Sequence, residues 1–451
     1  MSEHIRLKKG LDIPLAGKAP AKIAETVDPD LVAVKPTDFK ALVPKLAVKE
    51  GDSVKAGDVL FVDKLRPAVR FCSPCSGVVQ QIVRGDKRKL LAVVVKAGKD
   101  QQSVKYDAVD CSRLDKQQMT EVLQERGLWP MIKQRPYGII ANGEDTPKSI
   151  FVSAMYTAPL APDADFIMEG QMENLQEGIN ALGRLTKGGV HFSMAAAAEA
   201  GSAMHNLSGV IFHTFDGPHP AGNVGVQINH ISPINKGEVV WTVDLLSLAA
   251  IGRCLRTGEY DVTRLVAVTG PAAKQPCYVK GVQGMSLAAV AKYAEEGNVR
   301  FVSGDVLTGE NVGADGFLGY YDNQVTLLKE GDYYELLGWI KPFRCSKFSF
   351  SHLYWSWLAG RKKTYKLDTN TNGGPRAFVV SDVYGKVLPM DILPVYLLKA
   401  CMAKDIEKME NLGIYEVIPE DFALCEFVCP SKIEIQKILS DGIDLMLKEM
   451  A

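Results

Sequence analysis

Val48-Lys49-Glu50-Gly51-Asp52-Ser53-Val54-Lys55-Ala56-Gly57-Asp58-Val59-Leu60 reads as short apolar runs separated by two Gly-Asp turns. Downstream, Phe71-Cys72-Ser73-Pro74-Cys75-Ser76-Gly77-Val78-Val79 leads into Ile82-Val83-Arg84-Gly85 with the same texture. Glycine supplies positive φ at such turns, and the aspartate side chain bonds nearby backbone N–H groups. Strands this short and evenly punctuated predict a small antiparallel sandwich.

Taken together, the Glu-Gly-Asp turn, the Ala-Gly-Asp turn and the Ser-Pro-x-Ser-Gly stretch resemble the lipoyl/biotinyl-type sandwich, here assigned to residues 35–100 after an N-terminal segment, 1–34. Lys64, in Phe61-Val62-Asp63-Lys64-Leu65, lies between the two halves of that sandwich, where lipoyl domains carry their modified lysine. Two readings follow: an acyl-carrier-type protein modified at Lys64, or a retained fold with an unmodified surface lysine, since fold does not carry function with it. Cys72-x-x-Cys75 has redox-like spacing, but a sandwich strand provides no helix N-terminus to lower a thiol pKa. A four-thiolate metal site needs a second pair, and Cys425-x3-Cys429-Pro430 has the wrong spacing. Structural thiols and no bound metal are expected.

Beyond the sandwich, strands and helices alternate over 101–260. Strands are predicted at 150–155, 190–194 and 209–213. Met172, Leu175, Ile179, Leu182 and Leu185 mark one helix face, and an Ala-rich helix is expected to run to Met204. Alternation of this kind argues for a parallel sheet and a Rossmann-like α/β domain. A smaller mixed unit, β-grasp (SLBB-like), is assigned to 261–335, with strands at 265–269, 278–282 and 299–302 and a helix over 286–296 capped by Ser286. The remainder, 336–451, reads as mostly helical. One helix starts near Asp391 and Pro394 and stops near Gly413. In another, Ile435, Ile438, Leu439, Ile443 and Met446 share a face. The whole is an α/β multi-domain chain.

The 451 residues exceed one compact core and suggest roughly three domains. A formal net charge of -1 argues against a nucleic-acid surface. The start lacks the apolar core of a signal peptide. The longest apolar run, 239–255, is interrupted by Asp244 and Arg253, short of the roughly 20 residues a membrane span needs. Nine scattered cysteines fit a reducing compartment such as the cytoplasm.

No phosphate cradle of either common pattern is present, and Gly188-Gly189 precedes a strand instead of following one. The turn Gly217-Pro218-His219-Pro220-Ala221-Gly222-Asn223 is a rigid loop after a predicted strand, where loops often border a ligand crevice. A purely structural loop is the equal alternative. Lys341, Arg344, Lys347, Arg361, Lys362, Lys363 and Lys366 come with no acid between them and interleave with Phe343, Phe348, Phe350, Tyr354, Trp355, Trp357 and Tyr365. That mixture suits a membrane interface or a membrane-protein partner. The alternative is a core element with solvated ends.

Four separated motifs in order carry a wider resemblance: Leu7-Lys8-Lys9-Gly10-Leu11-Asp12-Ile13-Pro14-Leu15-Ala16-Gly17, Asp216-Gly217-Pro218-His219-Pro220-Ala221-Gly222, Thr371-Asn372-Gly373 and Leu424-Cys425-Glu426-Phe427-Val428-Cys429-Pro430. Over nearly the whole chain they resemble the A-subunit family of the bacterial sodium-translocating NADH:quinone reductase. The resemblance implies a peripheral subunit on the cytoplasmic face of the inner membrane, docked on integral membrane subunits and linked to ubiquinone. Flavins and an iron-sulfur centre would sit in other subunits. The family is similar to flavin- and cluster-bearing dehydrogenase subunits. The stretch comparable to their Gly-rich flavin loop appears here as Gly127-Leu128-Trp129-Pro130-Met131-Ile132-Lys133. Bulky residues there keep backbone from a flavin phosphate. Cys429-Pro430 looks like the remnant of a four-thiolate cluster set.

Under this reading no residue of the chain is catalytic. Trp129, Arg135, Tyr137 and His219 are the quinone-binding candidates, by ring stacking and hydrogen bonds to carbonyl oxygens. Lys347, Trp355, Trp357, Arg361, Lys362 and Lys363 are the candidates for docking to a membrane subunit or its surrounding headgroups.

Overall fold

A computed structural model of the chain describes residues 3–198, 201–338, 345–352, 354–359 and 363–449. The quoted Gly-Asp turns form as read. Asp52 accepts from the Lys49 N–H at 2.7 Å and Asp58 from the Lys55 N–H at 2.6 Å. Gly51 and Gly57 sit at φ 91° and 96°, where a Cβ would be strained. These turns link a four-stranded sheet (Leu31–Val34, Leu90–Ala97, Gly77–Arg84, Ser53–Val54) to a three-stranded one (Pro44–Leu46, Val59–Asp63, Arg70–Cys72). Their inner faces bury Val32, Val79, Val93 and Val95 with Phe61 and Phe71, whose rings stack at 4.6 Å. Cys72 and Cys75 lie in this core, and burial pushes both thiols up to about 12, out of thiolate chemistry.

The α/β domain is a seven-stranded sheet ordered Glu3–Arg6, Val210–Asp216, Val190–Ala195, Ile150–Ser153, Val240–Asp244, Ile132–Arg135, Ile139–Ile140. The first five are mutually parallel, and the last two form an antiparallel hairpin at the edge. Helices Met172–Leu185 and Leu245–Thr257 cover one face. Val224–Ile231 packs on the other with Phe151 and Val240. Among the described residues of the expected Ala-rich helix, two short 3-10 turns stand instead, Ala196–Ala198 and Ala203–Asn206. Ser202 is the cause: its hydroxyl accepts from the Met204 N–H and bonds Asp165, which starts a new turn instead of extending a helix.

A six-stranded mixed sheet holds Thr263–Thr269, Cys277–Val282, Val299–Ser303, Glu310–Asn311, Gln324–Lys329 and Ile23–Thr26. The helix expected over 286–296 is a 3-10 helix, Leu287–Tyr293, capped by Ser286 as read. Leu287 and Val290, three residues apart, both reach the core, which is the 3-10 period. In the C-terminal part, the single helix expected from Pro394 to Gly413 is two, Pro394–Ala403 and Ile406–Asn411. Lys404 at φ 56° ends the first, and Asp405 caps the second through the Lys408 N–H at 3.1 Å. Helix Ile435–Glu449 buries Ile435, Leu439, Ile443 and Met446.

The first 34 residues are no separate unit. Their three strands join three different sheets: Glu3–Arg6 pairs with Val210–Asp216, Ile23–Thr26 with Cys277–Val282, and Leu31–Val34 with Leu90–Ala97.

Candidate functional site

The four central parallel strands lie in the spatial order third, second, first, fourth, so the connections diverge between Ile150–Ser153 and Val240–Asp244. Beyond the carboxyl ends of strands at such a switch point a crevice opens. Here it is a cavity of about 230 Å³. The α/β domain contributes Lys133, Ser153 and Asp244, the six-stranded unit Tyr321 and Asp322, and the C-terminal part Glu420. The loop 217–223 closes one side. Ser153 Oγ donates to Gly222 O at 3.1 Å, and the Gly222 N–H donates to Thr157 Oγ1 at 2.9 Å. A Cβ on Gly222 would come within 2.4 Å of Met155 O, so only glycine lets the loop approach the strand end.

Burial dominates the electrostatics of the crevice. It raises the Glu420 carboxyl, with Asp421 beside it adding to the effect and Arg135 and Lys133 opposing it. It also raises Asp322, against the stabilising hydroxyl of Ser303 at 2.5 Å. The Lys133 ammonium stands 4.2 Å from the Tyr321 ring centroid. A carboxyl whose neutral form is favoured donates to a carbonyl oxygen, as an ammonium does. The cavity therefore sets one fixed donor, the Lys133 ammonium, beside carboxyls that burial shifts towards the neutral form. Asp244 and Asp305 on its wall disfavour a phosphate.

Trp129, Arg135, Tyr137 and His219 do not line this cavity. Trp129 is fully buried, donates from its indole to Ala141 O at 2.8 Å, and packs edge-on to Trp241. Arg135 is buried against Asp421 at 2.7 Å. Tyr137, half-buried at φ 79°, meets Tyr415 edge-on at 6.1 Å. His219 is buried, with Nδ1 3.1 Å from Thr157 Oγ1, and its backbone N–H donates to Asp12 Oδ1 at 2.9 Å; burial lowers its pKa. The two segments meet at the crevice through other residues, Lys133 from the first and Gly222 and Asn223 from the second. Sequence reading missed Asp322 and Glu420, which belong to no motif and come from units far apart in the chain.

Among the docking candidates, Lys347 is turned inward: it donates to the Tyr333 hydroxyl at 3.0 Å and lies 3.8 Å from Asp368. Trp355 and Trp357 stand about half exposed. Lys363 donates to Cys345 O and lies 5.1 Å from the Tyr365 ring centroid. Arg361 and Lys362 lie outside the described residues. Lys64 is exposed on a hairpin tip, and the tip is pinned by Arg66, which bonds Asp63 at 3.0 Å and the carbonyls of Ile140 and Ala141. Cys425 and Cys429 are buried in the helical core, Cys429 Sγ 3.1 Å from the Tyr384 hydroxyl. Among the described residues no group of three or more His, Cys, Asp or Glu is placed to hold a metal, and no helix is long and apolar enough to cross a membrane.

Comparison with known proteins matches three family descriptions: an NqrA N-terminal barrel-sandwich hybrid domain over 5–98, an NqrA second alpha/beta domain over 114–260, and an NQRA C-terminal domain over 265–314. A solved structure of an NAD+-reducing [NiFe]-hydrogenase in the H2-reduced state shares 11% identity at a TM-score of 0.36, covering 75% of this chain and 62% of that one. The A subunit of the Na(+)-translocating NADH-quinone reductase of Hahella chejuensis is 37% identical over 450 residues, 99% of this chain and 100% of the relative. Its counterpart in Pasteurella multocida is 37% identical over 449 residues, again 99% of this chain and 100% of the relative. With kinship of that depth running from end to end, the chain belongs to the NqrA family, the A subunits of the Na(+)-translocating NADH-quinone reductases.

Proposed function

We propose that the chain serves as the peripheral subunit of a sodium-exporting NADH:ubiquinone reductase, held at the cytoplasmic face by integral membrane subunits and supporting the quinone-reduction step. Kinship over 99% of the chain carries this reading. NADH oxidation, the flavins and the iron-sulfur centre belong to other subunits, in keeping with the Leu128-Trp129 pair where a flavin loop would need glycines. The quinone head group is assigned to the switch-point crevice. Lys133 and Glu420 face its carbonyl oxygens there, replacing the candidates Trp129, Arg135, Tyr137 and His219, whose polar groups are engaged elsewhere. Ubiquinone is the substrate, and the chain holds no cofactor of its own.

Quinone kinetics of the assembled complex test the crevice. Lys133→Ala and Glu420→Ala each remove one polar side chain that faces the quinone and should lower kcat/KM for quinone about tenfold, roughly 1.4 kcal/mol. NADH oxidation with an artificial acceptor should be unchanged. Wild-type quinone kinetics in both variants would move the quinone off this crevice. An intact mass carrying a lipoyl or biotinyl adduct on Lys64 would favour the carrier reading instead.

A further inference from the structure

Seven of the seventeen exposed large apolar side chains among the described residues fall in two short runs: Tyr333, Tyr334, Leu336 and Leu337, then Trp355, Trp357 and Leu358. Leu336 is 83% exposed, and even Tyr333 is 46% exposed. Apolar surface gathered in this way marks an interaction site. Both runs hang from one ribbon. The Tyr333 hydroxyl donates to Asp368 at 2.6 Å, and its carbonyl accepts from Asn370 at 2.7 Å. Tyr365 donates to Ser356 O, between the two tryptophans, at 3.1 Å. The ribbon is itself fastened: the Tyr365 N–H donates to Pro14 O at 2.8 Å, and Phe348 stacks on Phe427 at 6.4 Å. The backbone is therefore held while the apolar side chains face outward.

Charge and side-chain type point to the occupant. Residues 345–366 contain no Asp or Glu, Glu335 is the one acid within 333–337, Lys347 stands 5.5 Å from the Tyr333 ring centroid, Lys366 is exposed and Lys363 half-exposed. Aromatic rings with one apolar and one polar end, flanked by ammonium groups, match the headgroup layer of an anionic bilayer. We propose that residues 333–337 and 355–358 sit in that layer, so that this chain touches lipid directly in addition to its protein partners. The inference rests on the reading of the chain as part of a membrane complex.

Co-sedimentation of the purified full chain with vesicles tests it. The chain should bind vesicles of equal parts phosphatidylglycerol and phosphatidylethanolamine, and bind pure phosphatidylcholine more weakly. The double variant Trp355→Ser/Trp357→Ser should bind about tenfold more weakly at low and high salt, because apolar burial is insensitive to screening. Lys363→Gln/Lys366→Gln should bind severalfold more weakly at low salt only. Leu393→Ser/Tyr396→Ser, which removes exposed apolar surface elsewhere, should bind like wild type. Circular dichroism checks the fold of each. The proposal is overturned by wild-type chain that ignores both vesicles, by a tryptophan variant that binds like wild type, or by a control that loses as much. A tryptophan variant that binds vesicles normally but fails to join its complex would assign the patch to a protein partner, which also overturns it. Failure of the quinone reading would appear separately, as unaltered quinone kinetics in the crevice variants.

Discussion

Arg135 and Asp421 form an ion pair buried to 2% and 0% side-chain exposure, joining the edge of the α/β sheet to the C-terminal helices. The geometry is one-sided. Arg135 Nη2 and Asp421 Oδ1 have no hydrogen-bond partner among the described residues, and a Cβ on Gly225 would sit 2.4 Å from both Arg135 Nη1 and Asp421 Oδ1. Two charges out of water gain little net stability, but one left alone is costly. Asp421→Ala should lose about 3–5 kcal/mol in urea unfolding, and Arg135→Met/Asp421→Leu should recover most of that loss. A second residue-scale forecast concerns His191 and His213, with nitrogens 2.8 Å apart and rings stacked on neighbouring strands. Burial first, then His213, holds the His191 imidazole down to about 4. The unfolded chain takes that proton earlier, so stability is retained above about 6.5 and falls as pH drops towards about 4. His191→Gln should lose less melting temperature than wild type between those pH values. An equal loss would mean the pair stores no such penalty. Neither pairing was legible beforehand. The letters Arg135 and His213 were visible, but their partners lie 286 and 22 positions away.

Elements whose signal is local were readable. The Gly-Asp turns carry their own hydrogen bonds, and helix Met172–Leu185 has a continuous apolar stripe, so both match the reading from the chain alone. Elements ended by a side-chain cap or a single left-handed residue were overextended, as at Ser202 and Lys404. The packing of Met172–Leu185 on Leu245–Thr257 depends on what is missing. A Cβ on Gly252 would fall 1.7 Å from Asn174 O, and one on Gly178 would fall 2.5 Å from Leu248 O. The two backbones touch where these glycines face. Gly252→Ala should force the helices apart and cost about 1–3 kcal/mol despite alanine's better helix propensity. A thermal melt at or above wild type would mean the crossing is loose.

For the whole molecule, a barrel-sandwich, an α/β and an SLBB unit were legible as kinds of fold, since each has its own period and turn chemistry. The crevice was not. Lys133, Asp322 and Glu420 belong to three units, and only their packing brings the three side chains together. A site assembled this way leaves no spacing pattern in the chain. The same merging explains why the first 34 residues look featureless in isolation: they are single strands whose neighbours lie far along the sequence.

That threading sets the order of assembly against the order of synthesis. Strand Glu3–Arg6 leaves the ribosome some two hundred residues before its partner Val210–Asp216. Ile23–Thr26 waits longer still for Cys277–Val282. Non-local pairing of this kind pays its loop-closure entropy late and leaves nascent edges open meanwhile. The two early strands should thus act as a clasp that closes late. Deleting residues 1–27 should leave the sandwich intact but open an edge in each of the other two sheets. In expression trials the truncated chain should go to aggregates, and a soluble yield equal to that of the full chain would show that the two strands are dispensable.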